Sequence, residues 1–358
     1  MKKFFILAAA AVVALASCTQ NEMETTQKQE ISYNAVAAKN AVRSIINTTY
    51  YAPTDPSFGI WGLYQATDWS TNHSASVWVG TDASHSAQIS WDTTGDPDAW
   101  RNAANVDYWP LSGKLVFMGY SPYANVNSKA AISVADSKVT LTVTNFASAT
   151  GSFVDDLMWS DAVEATKPTA TTNYDADGTD ATTYNGVPVV FHHALSQIIV
   201  NAKLAEAYTG YTIKITDVSL TVDDNATLTV QDNLSADPTV TWTEPATDVT
   251  PVVLENGDTA LTTDYAQQGN AILVIPQTLT ANQDVLTVTY TLTRNGSTST
   301  ATKVINLTAG SSDALTAFVA NKKYNLNLIV SLDEILYSPS VADWTSGSSE
   351  YDVPGDAN

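Results

Sequence analysis

"VLTVTYTLTRNGSTSTATKVINL", residues 285–307, decides the fold. Apolar and polar side chains alternate on the approach to Asn295-Gly296, and a short polar run follows. A period of two places successive side chains on opposite faces of a strand. Asn-Gly supplies the positive-φ pair of a tight turn whose twist matches its flanking strands. The stretch reads as a β-hairpin. The same period recurs in "VTLTVTNF" (139–146), where Val139, Leu141 and Val143 share one face and threonines the other. In "YNLNLIV" (324–330), Tyr324, Leu326, Leu328 and Val330 alternate with Asn325, Asn327 and Ile329. "VSLTVDDNATLTV" (218–230) reads as two strands around an Asp-Asn turn. Sustained helical periodicity is lacking; "AEAY" (205–208) and "DALTAFVA" (313–320) amount at most to short helical turns. Many short strands with frequent turns predict an all-β chain built of antiparallel sandwiches.

A length of 358 residues suits about two domains. The break falls in "TKPTATTNYDADGTDATTYNGVP" (166–188), a polar stretch rich in turn residues. Of nine tryptophans, seven precede it, which marks a shift in composition. The expected domains are 44–183 and 184–332, followed by a tail, 333–358. With a hydrophobic content of 44% the chain can build real cores. Its formal net charge of −21 excludes nucleic acid as a partner, because phosphates require a basic surface. It also argues against electrostatic attachment to anionic lipid.

The chain opens with "MKKFFILAAAAVVALASCTQNE". Lys2 and Lys3 form a positive start, and Phe4 to Ala16 form an apolar run too short to span a bilayer comfortably. Leu15-Ala16-Ser17-Cys18 resembles a bacterial lipobox, in which the cysteine thiol takes a diacylglyceryl group. Cys18 is the one cysteine of the chain, so an intramolecular disulfide is impossible. Residues 19–30 are polar and read as a tether. A multi-chain lipid anchor would hold the precursor stably on a membrane.

No catalytic constellation is legible: there is no His-Glu-x-x-His, Gly-x-Ser-x-Gly or phosphate-cradling glycine loop. On a strand, His192 and His193 would point to opposite faces and could not share a metal. Asp155-Asp156 and Asp223-Asp224 are neighbours in sequence, which does not supply carboxylates facing across a cleft. Asp175, Asp177 and Asp180 around Gly178 could ligate calcium, but they lack the full loop pattern and final glutamate of an EF-hand; a solvated turn is the simpler reading. Trp61, Trp69, Trp78, Trp91, Trp100 and Trp109 could include a sugar-stacking platform, although such residues are more often core. No enzyme activity, metal or cofactor is expected.

Three arginines occur in the chain, Arg43, Arg101 and Arg294. Arg43 stands between the short strand candidate "ISYNAV" (31–36) and the body. Read on its own it is a solvated surface arginine; the order of motifs suggests another role. The lipobox at Cys18, "ISYNAV", Arg43, "FGIWGLY" (58–64), "YWPLSGKLVFMGYSPY" (108–123), "DLMWSDA" (156–162), "VVFHHALSQIIV" (189–200), "LVIPQTLT" (273–280), "YNLNLIVSL" (324–332) and "VADW" (341–344) succeed one another along nearly the whole chain. In this order they resemble the fimbrillins of Bacteroidales, the type V pilins.

The resemblance implies two transthyretin-like antiparallel β-sandwich domains in tandem and a lipoprotein precursor at the outer membrane. It implies that an arginine-directed surface protease cuts between Arg43 and Ser44, with Lys39 the alternative site for a looser enzyme. The cut would release the lipid and a strand carrying Ile31, Tyr33 and Ala35. The groove left behind would accept a donor strand from another copy or a related pilin, building an adhesive pilus on the cell surface. The tail 333–358 is the expected donor, with Ile335, Tyr337, Val341, Trp344, Tyr351 and Val353 as anchors. A shaft role is expected; the competing readings are a glycan-binding lipoprotein that stays anchored through Cys18, or a tip or anchor subunit of the same pilus.

Overall fold

The computed structural model describes residues 28–37, 49–50, 56–94, 98–148, 156–168, 186–243, 249–254, 259–308 and 314–344. Among them every regular element is a strand. The hairpin forms as expected: Val285–Arg294 pairs with Ser297–Asn306, and Asn295 and Gly296 take φ of 49° and 79°. Val139, Leu141 and Val143 are buried on one face of Lys138–Ala147, and Tyr324, Leu326, Leu328 and Val330 on one face of Lys322–Val330.

Seven strands of the largest sheet close a ring. Tyr33–Ala37, here termed the leading strand, pairs with Val187–His193 and, through Tyr33 and Trp100, with Ala99–Asn102. Ala99–Asn102 pairs with Ala87–Asp92, then Phe58–Gln65, then Lys114–Ser121. Met158–Ser160 completes the circuit between Lys114–Ser121 and Val187–His193. Alternation then assigns the side chains. Phe58, Ile60, Leu115 and Phe117 enter one core with Tyr33, Ile89, Trp100, Val187, Val189 and Phe191. Trp61, Leu63, Val116, Met118 and Tyr120, on the opposite faces of the same strands, enter a second core. That core is shared with the sheet formed by Ala130–Ala135, Lys138–Ala147, Asn225–Asp232 and Thr239–Thr243.

A third core lies between two further sheets. One contains Tyr211–Asp223, Val249–Leu254 and the hairpin; the other contains Ser196–Leu204, Lys322–Val330 and, at its edge, Ile335–Asp343, here termed the tail strand. The sheets do not divide at residue 184, because Val187–His193, Asn225–Asp232 and Thr239–Thr243 all join sheets begun before it.

Three local expectations change. Residues 218–230 do form two strands, but not a hairpin. Asp223 ends one strand and Asn225 begins the next, and each pairs in a different sheet. Each strand is paired along both edges by other strands, so the local turn does not become a hairpin. In place of a helical turn, Ala317–Phe318 is a two-residue strand paired with Gln277–Thr278, and residues 205–208 are not helical. Among the described residues, pairing is antiparallel except at two places: the leading strand runs parallel to Val187–His193, and Ser196–Leu204 runs parallel to Lys322–Val330.

Candidate assembly site: the slot of the leading strand

The leading strand is a stave of the ring and not an appendage to it. Ile31, Tyr33 and Ala35 are each about 2% exposed. The Tyr33 ring meets Phe117 edge-on at 5.8 Å and Phe58 at 6.2 Å. Ser32 and Val36, of opposite parity, are buried as well, so both faces are covered. Ahead of the strand, Ile31 N donates to Asp107 O at 2.9 Å, and Trp109 N donates to Gln29 O at 3.0 Å. Glu30 Oε2 lies 3.8 Å from Arg101 Nε, and Lys28 Nζ sits 5.4 Å from the centre of the Tyr108 ring. Beside this run, burial pushes the Asp107 carboxyl above the usual carboxylate range, opposed by a hydrogen bond from Asn102 Nδ2 at 2.8 Å.

Gly186 makes the close approach possible. Its φ is +98°, and a Cβ there would fall 2.7 Å from the Tyr33 backbone. The next residue, Val187, donates its N–H to Ser32 O at 2.7 Å. Bonds in a parallel ladder come from alternate residues. Residues 32, 34 and 36 therefore face the Val187–His193 strand with their backbone groups, and 33 and 35 face the other side.

Taking out residues 28–37 would open the ring between Val187–His193 and Ala99–Asn102. It would also bare Phe58, Trp100, Trp109, Phe117, Val187 and Phe191, an apolar trough bordered by backbone groups without partners. Such an edge strongly favours an incoming strand, which supplies main-chain bonds along its length and side chains to alternate pockets.

The tail strand sits elsewhere. It pairs along nine positions with Lys322–Val330, so it is not surplus to that strand as its sequence suggests. Among the described residues it occupies the edge of its sheet, with one neighbour. Ile335 is buried and Tyr337 packs against the third core. Burial pushes the Tyr337 phenol up, and its hydroxyl has no hydrogen-bond partner among the described residues. Val341 shares parity with them yet is 51% exposed, although Tyr324, opposite it in the register, is buried in the third core. Leu336, which parity aims outward, is exposed to the same degree. Trp344 stacks on His193 with centroids 3.9 Å apart and planes within 10°.

His192 and His193 point to opposite faces as expected, but both are buried. His192 stacks on Trp159 at 4.4 Å, with Nε2 3.1 Å from Asp161 Oδ2. His193 Nδ1 lies 2.8 Å from Asp156 Oδ2, off the line of a good hydrogen bond. No group of acidic, histidine or cysteine side chains suited to a metal occurs among the described residues. Of the six tryptophans weighed as a sugar platform, Trp61, Trp69, Trp100 and Trp109 are buried in cores. Trp91 is partly buried against Trp100. Trp78 alone of the six is largely exposed, and its indole N–H is engaged by Tyr108 O at 2.8 Å. Four of the six therefore build cores. Cys18, Arg43, Ser44, Asp155, Asp175, Asp177, Asp180, Tyr351 and Val353 lie outside the described residues.

The fimbrillin-like family profile matches residues 54–344. The chain belongs to the fimbrillin-like family, which gives it a pilin-type, structural rather than enzymatic role. Among solved structures, a fimbrial protein from Bacteroides vulgatus is 18% identical, with a TM-score of 0.53 over 88% of this chain and 100% of that one. The tip fimbrial protein Mfa3 of Porphyromonas gingivalis, solved with a C-terminal truncation, is 9% identical, with a TM-score of 0.37 over 88% of this chain and 100% of that one. No curated protein matches the sequence.

Proposed function

We propose that this chain is a shaft pilin that polymerises by protease-triggered donor-strand exchange. The precursor is lipidated at Cys18 and carried to the outer membrane. An arginine-directed protease then cuts between Arg43 and Ser44, freeing the segment that holds Ile31, Tyr33 and Ala35. The tail 333–358 of another subunit fills the slot. That contact is head-to-tail and does not close, so it propagates as a filament.

One observation carries this reading: the segment ahead of Arg43 contributes a doubly flanked, two-face-buried strand to a closed ring. A mere tether would have no reason to complete a core. Burying each large apolar side chain stabilises by roughly 1.5–3 kcal/mol, so a strand with several anchors binds its slot tightly and leaves it slowly.

The test is a chain truncated after Leu332, exposed to the protease and followed by gel ladders and electron microscopy. It should be cut after Arg43 and fail to polymerise. Fibres of normal length from the truncated chain would place the donor elsewhere. Surface material with residues 19–43 intact would instead favour an anchored lipoprotein.

A further inference from the structure

Two stretches at opposite ends of the chain share a text. The leading segment reads Glu30-Ile31-Ser32-Tyr33-Asn34-Ala35, and the tail reads Glu334-Ile335-Leu336-Tyr337-Ser338-Pro339. Glu, Ile and Tyr recur at the same spacing, followed by a small polar residue. In both copies the Ile is buried and the Tyr packs into a core, while the Glu stays outside.

We propose that the tail strand is an in-register replica of the leading strand. Glu334, Ile335 and Tyr337 of one subunit take the seats that Glu30, Ile31 and Tyr33 leave in the next. The donor then runs parallel to Val187–His193, as the leading strand does. This rests on the exchange reading above and specifies its partner segment, direction and register.

Four features of the slot fit. Ile335 returns an aliphatic group to the buried Ile31 seat, and Tyr337 an aromatic ring to the gap between Phe58 and Phe117. Glu334 returns a carboxylate to Arg101, which faces Glu30 in the precursor. Pro339, which has no N–H, falls at position 35, where the backbone faces away from the Val187–His193 ladder; the proline therefore deletes no bond to that strand. Leu336 moves from half exposure at a sheet edge to the buried position of Ser32. Reversed, the tail would place Ile335 in the Tyr33 pocket and carry Glu334 away from Arg101. In its home seat the tail strand has one neighbour among the described residues; in the slot it gains a neighbour on each side.

The test uses engineered disulfides in the full chain, cut with the protease. The cut removes Cys18, so introduced thiols are the only ones. In the proposed register Ser340 lies opposite Val190, as Val36 does in the precursor. In the home sheet Ser340 lies opposite Asn325. Paired strands bring Cα atoms within disulfide range. The Ser340→Cys/Val190→Cys chain should give a covalent ladder between subunits on a non-reducing gel. Ser340→Cys/Asn325→Cys should close within the subunit and suppress polymerisation until reduced. If fibres depend on the tail but cross-link only from Ser338→Cys or Ala342→Cys to Val190→Cys, the replica register is wrong while donor exchange stands. If no tail cysteine cross-links and the truncated chain still polymerises, the exchange reading itself fails. As a check on pocket identity, Tyr337→Ala should slow polymerisation at least tenfold and Tyr337→Phe less than threefold. Equal slowing by both, with monomer unfolding unchanged, would remove Tyr337 from the Tyr33 pocket.

Discussion

The leading strand and the tail strand carry the same Glu-Ile-x-Tyr text in unequal settings. Tyr33 stands in a strand flanked on both sides, within a closed ring, with aromatic rings around it. Tyr337 stands in an edge strand, packed on one face, with Leu336 beside it in water. Alternation tells which face of a strand is apolar. How much that face is worth depends on how many neighbours cover it and whether the opposite face is covered too. Two strands can therefore share a pattern and differ in their hold; the proposed exchange needs the first to stay until it is cut away and the second to be free to move.

The largest effect that could break this comparison is a pair of equivalent truncations. In the uncut precursor Tyr33→Ala should destabilise by about 3–5 kcal/mol, as removal of a buried aromatic does. Tyr337→Ala should lose about 1–2 kcal/mol, because less apolar area leaves water at a sheet edge. Urea unfolding of the two variants measures both. Equal losses would mean that the two seats are equivalent and that the tail is as firmly built in as the leading strand.

Gly186→Ala sharpens the comparison from the slot side. The added Cβ would press on the Tyr33 backbone at a φ that L residues rarely adopt. A loss of about 2–3 kcal/mol is expected in the precursor. Because the clash is with backbone, the same substitution should also weaken occupancy by any donor. Gly210→Ala, with φ +79° and open space around it, should show the backbone strain alone and a smaller loss. Matching losses from the two glycine variants would show that the slot is not tight there.

Smaller again is the hold on the end of the tail. Trp344→Ala removes the stack on His193 and should cost about 1 kcal/mol. Tail mobility, read by hydrogen exchange of the 335–343 amides, should rise while the leading strand is unaffected. The smallest effect is expected from Lys322→Ala. It removes a solvent-exposed ion pair to Asp343, and such pairs are worth about 0.2–1 kcal/mol and weaken with salt. A loss as large as that of Trp344→Ala would show that charge, not the indole stack, holds the strand end.

Much of the fold was legible because alternation is a local property. The hairpin at Asn295-Gly296, the strand at 139–146 and the strand at 324–330 needed only their own residues. The strand ahead of Arg43 was legible too, but its rank was not. "ISYNAV" looks like a modest edge candidate, and only the ring shows that it is flanked on both sides. The pairing errors share a cause. Asp223 and Asp224 signal a turn, yet a turn becomes a hairpin only if its strands prefer one another, and here each finds a longer partner in a different sheet. The tryptophans left a sugar platform and a core both open, because residue type does not reveal exposure; four of the six are buried, as such residues more often are. The repeat of Glu-Ile-x-Tyr is present in the chain, but a short match between its ends carries little weight until both copies are seen to turn the same side chains toward cores.

By itself the sequence determined that the chain is all-β, which faces of its main strands are apolar, and where one of its tight hairpin turns lies. Period and turn chemistry act over a few residues, so the chain states them directly. Tertiary structure decided which strands meet, that two pairings are parallel, that the largest sheet closes through the leading strand, and that the tail strand is left with a free edge. These depend on contacts between residues far apart in sequence, whose energies are set by what covers each face, and no local pattern encodes the covering.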